Sequence, residues 1–211
     1  MDMKAKKVKG NKGMLQKLSL AIIVIAIITW IAFVLYSWQK NPLPVLGEPG
    51  HTVGNFSFTD QDGKTITDKD VAGKIRVVEY FFTTCKSICP IMNKNLVAVQ
   101  DAYKDRDDVI ILSHTVNPST DSVAVLKKYA DKMHAIPGKW EFLTGSKLAL
   151  YQMAQQDYLL SADTTTSTNE ADAFIHTQYI ALVDKENRIR GFYDATNLKD
   201  INQLISDIKK L

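Results

Sequence analysis

Nineteen consecutive residues, Leu18 to Tyr36 (LSLAIIVIAIITWIAFVLY), carry no charge. As a helix rising ~1.5 Å per residue they cover roughly 28 Å, about the hydrocarbon thickness of a bilayer. A segment apolar on every face has no solvent side, so it reads as a membrane span and not as a core helix. Lys4, Lys6, Lys7, Lys9, Lys12 and Lys17 all precede it. The positive-inside tendency therefore puts residues 1–17 in the cytoplasm and everything after the span across the membrane, on the periplasmic side. A cleaved signal peptide needs a shorter apolar core and a small-residue cleavage site. The run exits instead into Tyr36-Ser37-Trp38-Gln39-Lys40, so residues 18–36 are expected to stay as an anchor.

The same lysines account for the formal charge of +3. Past residue 17 the chain holds 20 Lys and Arg against 22 Asp and Glu, a mildly acidic remainder with no electrostatic footprint for nucleic acid. Length and composition fit one core. Residues 37–50 carry three of the six prolines and read as an extended linker, placing a single domain at 51–211.

Within that domain Asn55–Thr59 and Thr65–Thr67 flank a Gly-containing turn and predict a β-hairpin. Ile75–Phe82 is a β-branched and aromatic run suited to a strand buried on both faces. A helix follows, with Pro90 in its first turn and Met92, Leu96, Val99 and Tyr103 at helical spacing. Strand Val109–Val116, helix Asp121–Met133 capped by Thr120 or Asp121, strand Trp140–Leu143 and helix Lys147–Gln156 continue the alternation. Ser161–Glu170 is polar and reads as an exposed, mobile loop. Tyr179–Val183 and Ile189–Tyr193 form an antiparallel hairpin, and Leu198–Lys210 an amphipathic helix. Such alternation implies an α/β fold, a central sheet covered by helices.

Chemistry concentrates in Cys85-Lys86-Ser87-Ile88-Cys89-Pro90. Two thiols four apart at a helix start are expected to share a face, where unpaired N–H groups favour thiolate and both sulfurs can meet one ion. Thiolates suit copper(I), zinc and iron–sulfur clusters, so the pair alone leaves the metal open. His176, just ahead of the strand at Tyr179, is the candidate third ligand. In a thioredoxin-like arrangement the loop before that strand lies beside the first strand's exit. Two sulfurs and one imidazole suit copper, whereas structural zinc usually asks for four protein ligands. His114, inside a strand, and His134, at a helix end, read as structural. His51 carries no signal, and the spacing of Met92 with Leu96 assigns it to the core.

The stretch Phe81-Phe82-Thr83-Thr84-Cys85-Lys86-Ser87-Ile88-Cys89-Pro90 resembles the T-x-C-x-x-x-C-P element of the Sco (SenC) family, and His176 stands where that family has its histidine ligand. Gly73-Lys74, Asn117-Pro118 with Asp121, Tyr129, and Trp140 with Leu143–Ser146 resemble further landmarks of the family, covering most of 51–211. The resemblance implies a thioredoxin-like three-layer fold with an N-terminal β-hairpin. It also implies copper, Cu(I) or Cu(II), on Cys85, Cys89 and His176. The implied partners are the copper-bearing subunit of cytochrome c oxidase or another copper chaperone, with the membrane reached through the N-terminal helix. Lys86 stands where the family commonly has proline, and Asn117 where aspartate is common; neither departure removes a ligand.

Two functions compete. One is a metallochaperone that delivers copper to, or matures, the binuclear copper centre of the oxidase. The other is a membrane-tethered thiol-disulfide oxidoreductase using Cys85 and Cys89 as its redox pair. A redox thioredoxin has C-x-x-C and a proline before the facing strand. Here three residues intervene and the last proline is Pro137, which favours metal. A peroxiredoxin pattern fails at Val78 and Phe82, which occupy its proline and threonine positions.

Overall fold

The computed structural model describes residues 12–39, 43–160 and 178–211 and falls into two compact units, Met1–Pro42 and Leu43–Leu211. In the first, helix α1 spans Lys12–Gln39, longer at both ends than the uncharged run alone suggested. Its window Lys17–Val34 is long and apolar enough to cross a membrane, and none of it is buried within the molecule. The hydroxyl of Thr29 folds back onto the carbonyl of Ile25 (2.9 Å), which keeps the apolar surface free of an unpaired donor.

The second unit is built on a five-stranded sheet in the order β5-β4-β3-β6-β7. The strands are β3 (Ile75–Phe81), β4 (Val109–Thr115), β5 (Trp140–Leu143), β6 (Tyr179–Val183) and β7 (Ile189–Asp194). β3, β4 and β5 run parallel; β6 is antiparallel to β3, and β7 to β6. Every residue of β3 and β4 is buried, as expected of central strands covered on both faces. A separate hairpin, β1 (Ser57–Thr59) with β2 (Thr65–Thr67), matches the sequence expectation.

Three layers result. On one face Ile75, Val77 and Phe81 pack with Met92, Leu96 and Val99 of α2 (Cys89–Tyr103), Leu126 of α3 (Val123–Lys132) and Ile201, Leu204 and Ile208 of α5 (Leu198–Ile208). On the other, Val78 and Tyr80 pack with Phe56 and Phe58 of the hairpin segment and Leu150 of α4 (Lys147–Gln152). α2 is pinned to the turn between β7 and α5, where Asn95 Nδ2 donates to the carbonyl of Ala195 at 2.8 Å.

Three expectations change. Residues 43–46 do not belong to a free linker at 37–50. Arg190, almost buried, needs acceptors, and it finds the carbonyls of Leu43 and Pro44 (2.9 Å to Pro44) together with Asp184 (2.7 Å). Leu46 then bridges Ile189, so the compact unit begins at Leu43 and not at His51. α3 starts after Ser122, which makes no side-chain cap, and the Asp121 carboxylate serves Thr83 and Thr115 instead of the helix. α4 ends at Gln152 and gives way to a π-helical turn, Met153–Asp157, that brings Tyr158 into the core. The loop expected at 161–170 lies outside the described residues, as does His176.

Candidate metal centre

β3 carries the chain to the carboxyl end of the parallel strands, where the ladder stops and a turn begins. The N–H of Cys85 donates to the carbonyl of Phe82 (3.2 Å), reversing the chain into an open loop. The carbonyl of Ile88 accepts from Ile91 (2.9 Å) and Met92 (3.0 Å), which starts α2 at Cys89 with Pro90 in its first turn. Proline fits there because its φ is already helical and its missing N–H has no intrahelical partner to lose. Cys85 therefore precedes the helix, and the expected arrangement of both thiols on one helical face is corrected. What joins them is the N–H of Cys89, unpaired within its helix and directed at Cys85 Sγ at 3.5 Å.

Both cysteines are free thiols and they differ sharply. Burial alone would raise the half-buried Cys85. The Cys89 thiol, the N–H groups of Cys89 and Ser87, and the Ser87 hydroxyl 3.7 Å away outweigh it, holding Cys85 below the ordinary thiol value. Cys89 is 4% exposed, and burial, followed by the neighbouring Cys85 sulfur, pushes it up to about 12. The first proton to leave comes from Cys85, so the thiolate bias expected of both cysteines applies to one of them.

Two buried carboxylates lie near the loop, and one of them, Asp121, holds it. Asp121, fully buried, accepts from Thr83 Oγ1 (2.5 Å), Thr83 N (3.2 Å) and Thr115 Oγ1 (2.5 Å). Glu79, fully buried in β3, accepts from Ser113 Oγ at 2.5 Å, and that hydroxyl accepts from Trp140 Nε1 at 2.7 Å. Burial lifts Glu79 to about 7, and its charge in turn raises Cys89. Glu79 went unremarked in the sequence, although a lone acid inside an apolar strand is a signal, since an acid is almost never fully buried without a partner.

Among the described residues no three or more His, Cys, Asp or Glu side chains are grouped to hold a metal ion. The carbonyl of Gln178 accepts from Ala195 N at 2.8 Å, and β6 starts at the sheet end where β3 finishes. The remaining histidines serve the fold. His114 is buried and stacked on Tyr80 with ring centroids 5.0 Å apart, and burial lowers it to about 3. His51 Nε2 meets the carbonyl of Asp157 at 2.9 Å. His134 follows α3 in a left-handed turn (φ 54°).

A three-layer α/β domain with a thiol pair between its first central strand and the following helix defines a thioredoxin-like protein. The SCO1/SenC family pattern matches residues 46–211, and the chain belongs to that family. The SCO1 protein homolog of Bacillus subtilis is 30% identical over 172 residues, covering 81% of this chain and 84% of its own. Two solved structures show the same fold. BsSco, described as a member of the Sco family of cytochrome c oxidase assembly proteins with a disulfide switch, is 27% identical with a TM-score of 0.64, covering 79% of this chain and 96% of its own. ScoI of Bradyrhizobium japonicum, solved with copper bound, is 26% identical with a TM-score of 0.61, covering 75% and 98%.

Proposed function

We propose that this chain is a membrane-anchored copper metallochaperone acting in cytochrome c oxidase assembly, with Cys85, Cys89 and His176 as the copper ligands. The observation that carries the reading is the thiol pair itself, two free thiols of which Cys85 Sγ accepts from the N–H of Cys89 and is held below the ordinary thiol value, in a fold shared with a copper-bound relative. Soft donors of this kind fit copper, Cu(I) above all. Copper here is cargo, passed to the copper-bearing subunit of the oxidase or to another copper chaperone. Residues 1–17 lie in the cytoplasm, α1 spans the membrane, and the domain stands on the periplasmic side.

A second reading has its own support in the asymmetry of the pair. An accessible Cys85 of lowered pKa is suited to attack a partner's disulfide. The buried Cys89 would then displace the mixed disulfide, leaving Cys85–Cys89 oxidised and the partner reduced by two electrons.

An anaerobic Cu(I) titration of reduced 43–211 against a colorimetric chelator decides between them. One tight equivalent, weakened in His176→Ala and abolished in the Cys85→Ala/Cys89→Ala double variant, is the expected result. Weak uptake, or uptake indifferent to His176, leaves the oxidoreductase as the better account.

A further inference from the structure

The loop that holds Cys85 does not stand on its own. Thr83, two residues ahead of the thiol, is gripped twice by one carboxylate, through its hydroxyl at 2.5 Å and its N–H at 3.2 Å. That carboxylate belongs to Asp121, on the loop after β4, and its third donor is Thr115 Oγ1 at 2.5 Å, at the end of the neighbouring strand. Asp121 is itself fixed, since its N–H donates to the carbonyl of Asn117 (2.9 Å) and Asn117 N donates to Thr115 Oγ1 (3.0 Å). A fully buried carboxylate with three donors, two of them short, is tolerated because it is satisfied, and the donors are held as firmly as the acid. The closed circuit ties the segment Thr83–Cys85 to the carboxyl ends of two central strands, the most deeply buried part of the sheet.

We propose that Asp121 is a positioning residue of the metal centre: by gripping Thr83 it sets where Cys85 Sγ stands relative to Cys89, so that loosening the grip weakens metal binding while the domain stays folded. The proposal rests on the copper reading above. Groups that orient metal ligands from behind typically matter by ~10–100-fold in affinity. Thr83 offers a clean separation of roles. Thr83→Val keeps the shape and the N–H but removes the hydroxyl, whereas Thr83→Ser keeps both donors.

The test uses the full chain in detergent micelles, reduced and anaerobic. Parent, Thr83→Val, Thr83→Ser and Asp121→Asn are compared by Cu(I) competition with a chelator, by the rate of Cys85 alkylation in metal-free protein, and by thermal melting. Thr83→Val and Asp121→Asn are expected to lose ~10–100-fold in Cu(I) affinity. They should also shift the alkylation rate several-fold, with Thr83→Ser matching the parent and Thr83→Val still melting cooperatively, a few degrees below it at most. Thr83→Val that binds copper and alkylates like the parent overturns the proposal. If Asp121→Asn does not fold, the two Thr83 variants decide alone. If the parent takes up no Cu(I), the copper reading fails on its own account, and the alkylation rates still decide whether the grip positions Cys85.

Discussion

Glu79 and His114 sit on opposite faces of the same two strands, and they bend the pH dependence of stability in opposite directions. Burial raises Glu79 from 4.5 to about 7, so the folded chain favours the protonated acid. Its contribution is complete below about pH 4.5 and is lost as the pH climbs to about 7, for a total of up to about 3 kcal/mol at ~1.4 kcal/mol per pH unit. His114 falls from 6.5 to about 3, so its contribution is complete above about pH 6.5 and is lost on acidification toward 3. Where the two windows overlap the slopes oppose each other. Urea midpoints of 43–211 across pH 4.5–6.5 should therefore change little in the parent, rise with pH in Glu79→Gln and fall with pH in His114→Phe. Parallel curves for all three would show that neither group titrates as placed. The thiols were legible in the sequence as a pair, but their inequality was not. Spacing of four residues fits one helical face equally well, and only Pro90, which marks the first turn, hints that Cys85 lies ahead of the helix. Asp121 was visible as a helix cap because a carboxylate before a helix usually is one; its use by Thr83 depends on two loops meeting, which no local pattern encodes.

Most elements were legible because their cores repeat at the right period. β3 and β4 read as continuous apolar runs, and α2 as Met92, Leu96, Val99 and Tyr103, all of them buried. The beginning of the compact unit was not, since Pro42, Pro44 and Pro49 speak for an extended segment and do not reveal that Arg190 waits for its carbonyls. That grip has a measurable weight. Arg190 is paired with Asp184, whose side chain is 2% exposed but keeps Arg188 as a second partner, so removing Arg190 strands no charge and costs about the 1.5–3 kcal/mol of a hydrogen bond to a charged group. Arg190→Ala should lose that much stability in urea and expose residues 43–50 to limited proteolysis; resistance equal to the parent's would show that Leu46 alone holds the segment. α1 makes a simpler prediction. Deleting residues 1–36 should move the domain from the membrane fraction to the soluble one, and protease added outside spheroplasts should digest it in the intact chain. Full protection would reverse the orientation drawn from the lysines.

At the scale of the folded unit, the sheet has two ends with different duties. Leu43, Pro44 and Leu46 are bound at the start of β7, level with the beginning of β3, while Cys85 and Cys89 follow the end of β3. Seven residues of strand, about 23 Å at ~3.3 Å each, lie between them. The thiols thus stand a strand's length from the point where the domain begins. An affinity tag, a surface linker or an unrelated membrane helix fused ahead of Leu43 should leave the alkylation rate of Cys85 unchanged, so the domain can be immobilised by that end on a sensor surface with its chemistry facing the solution.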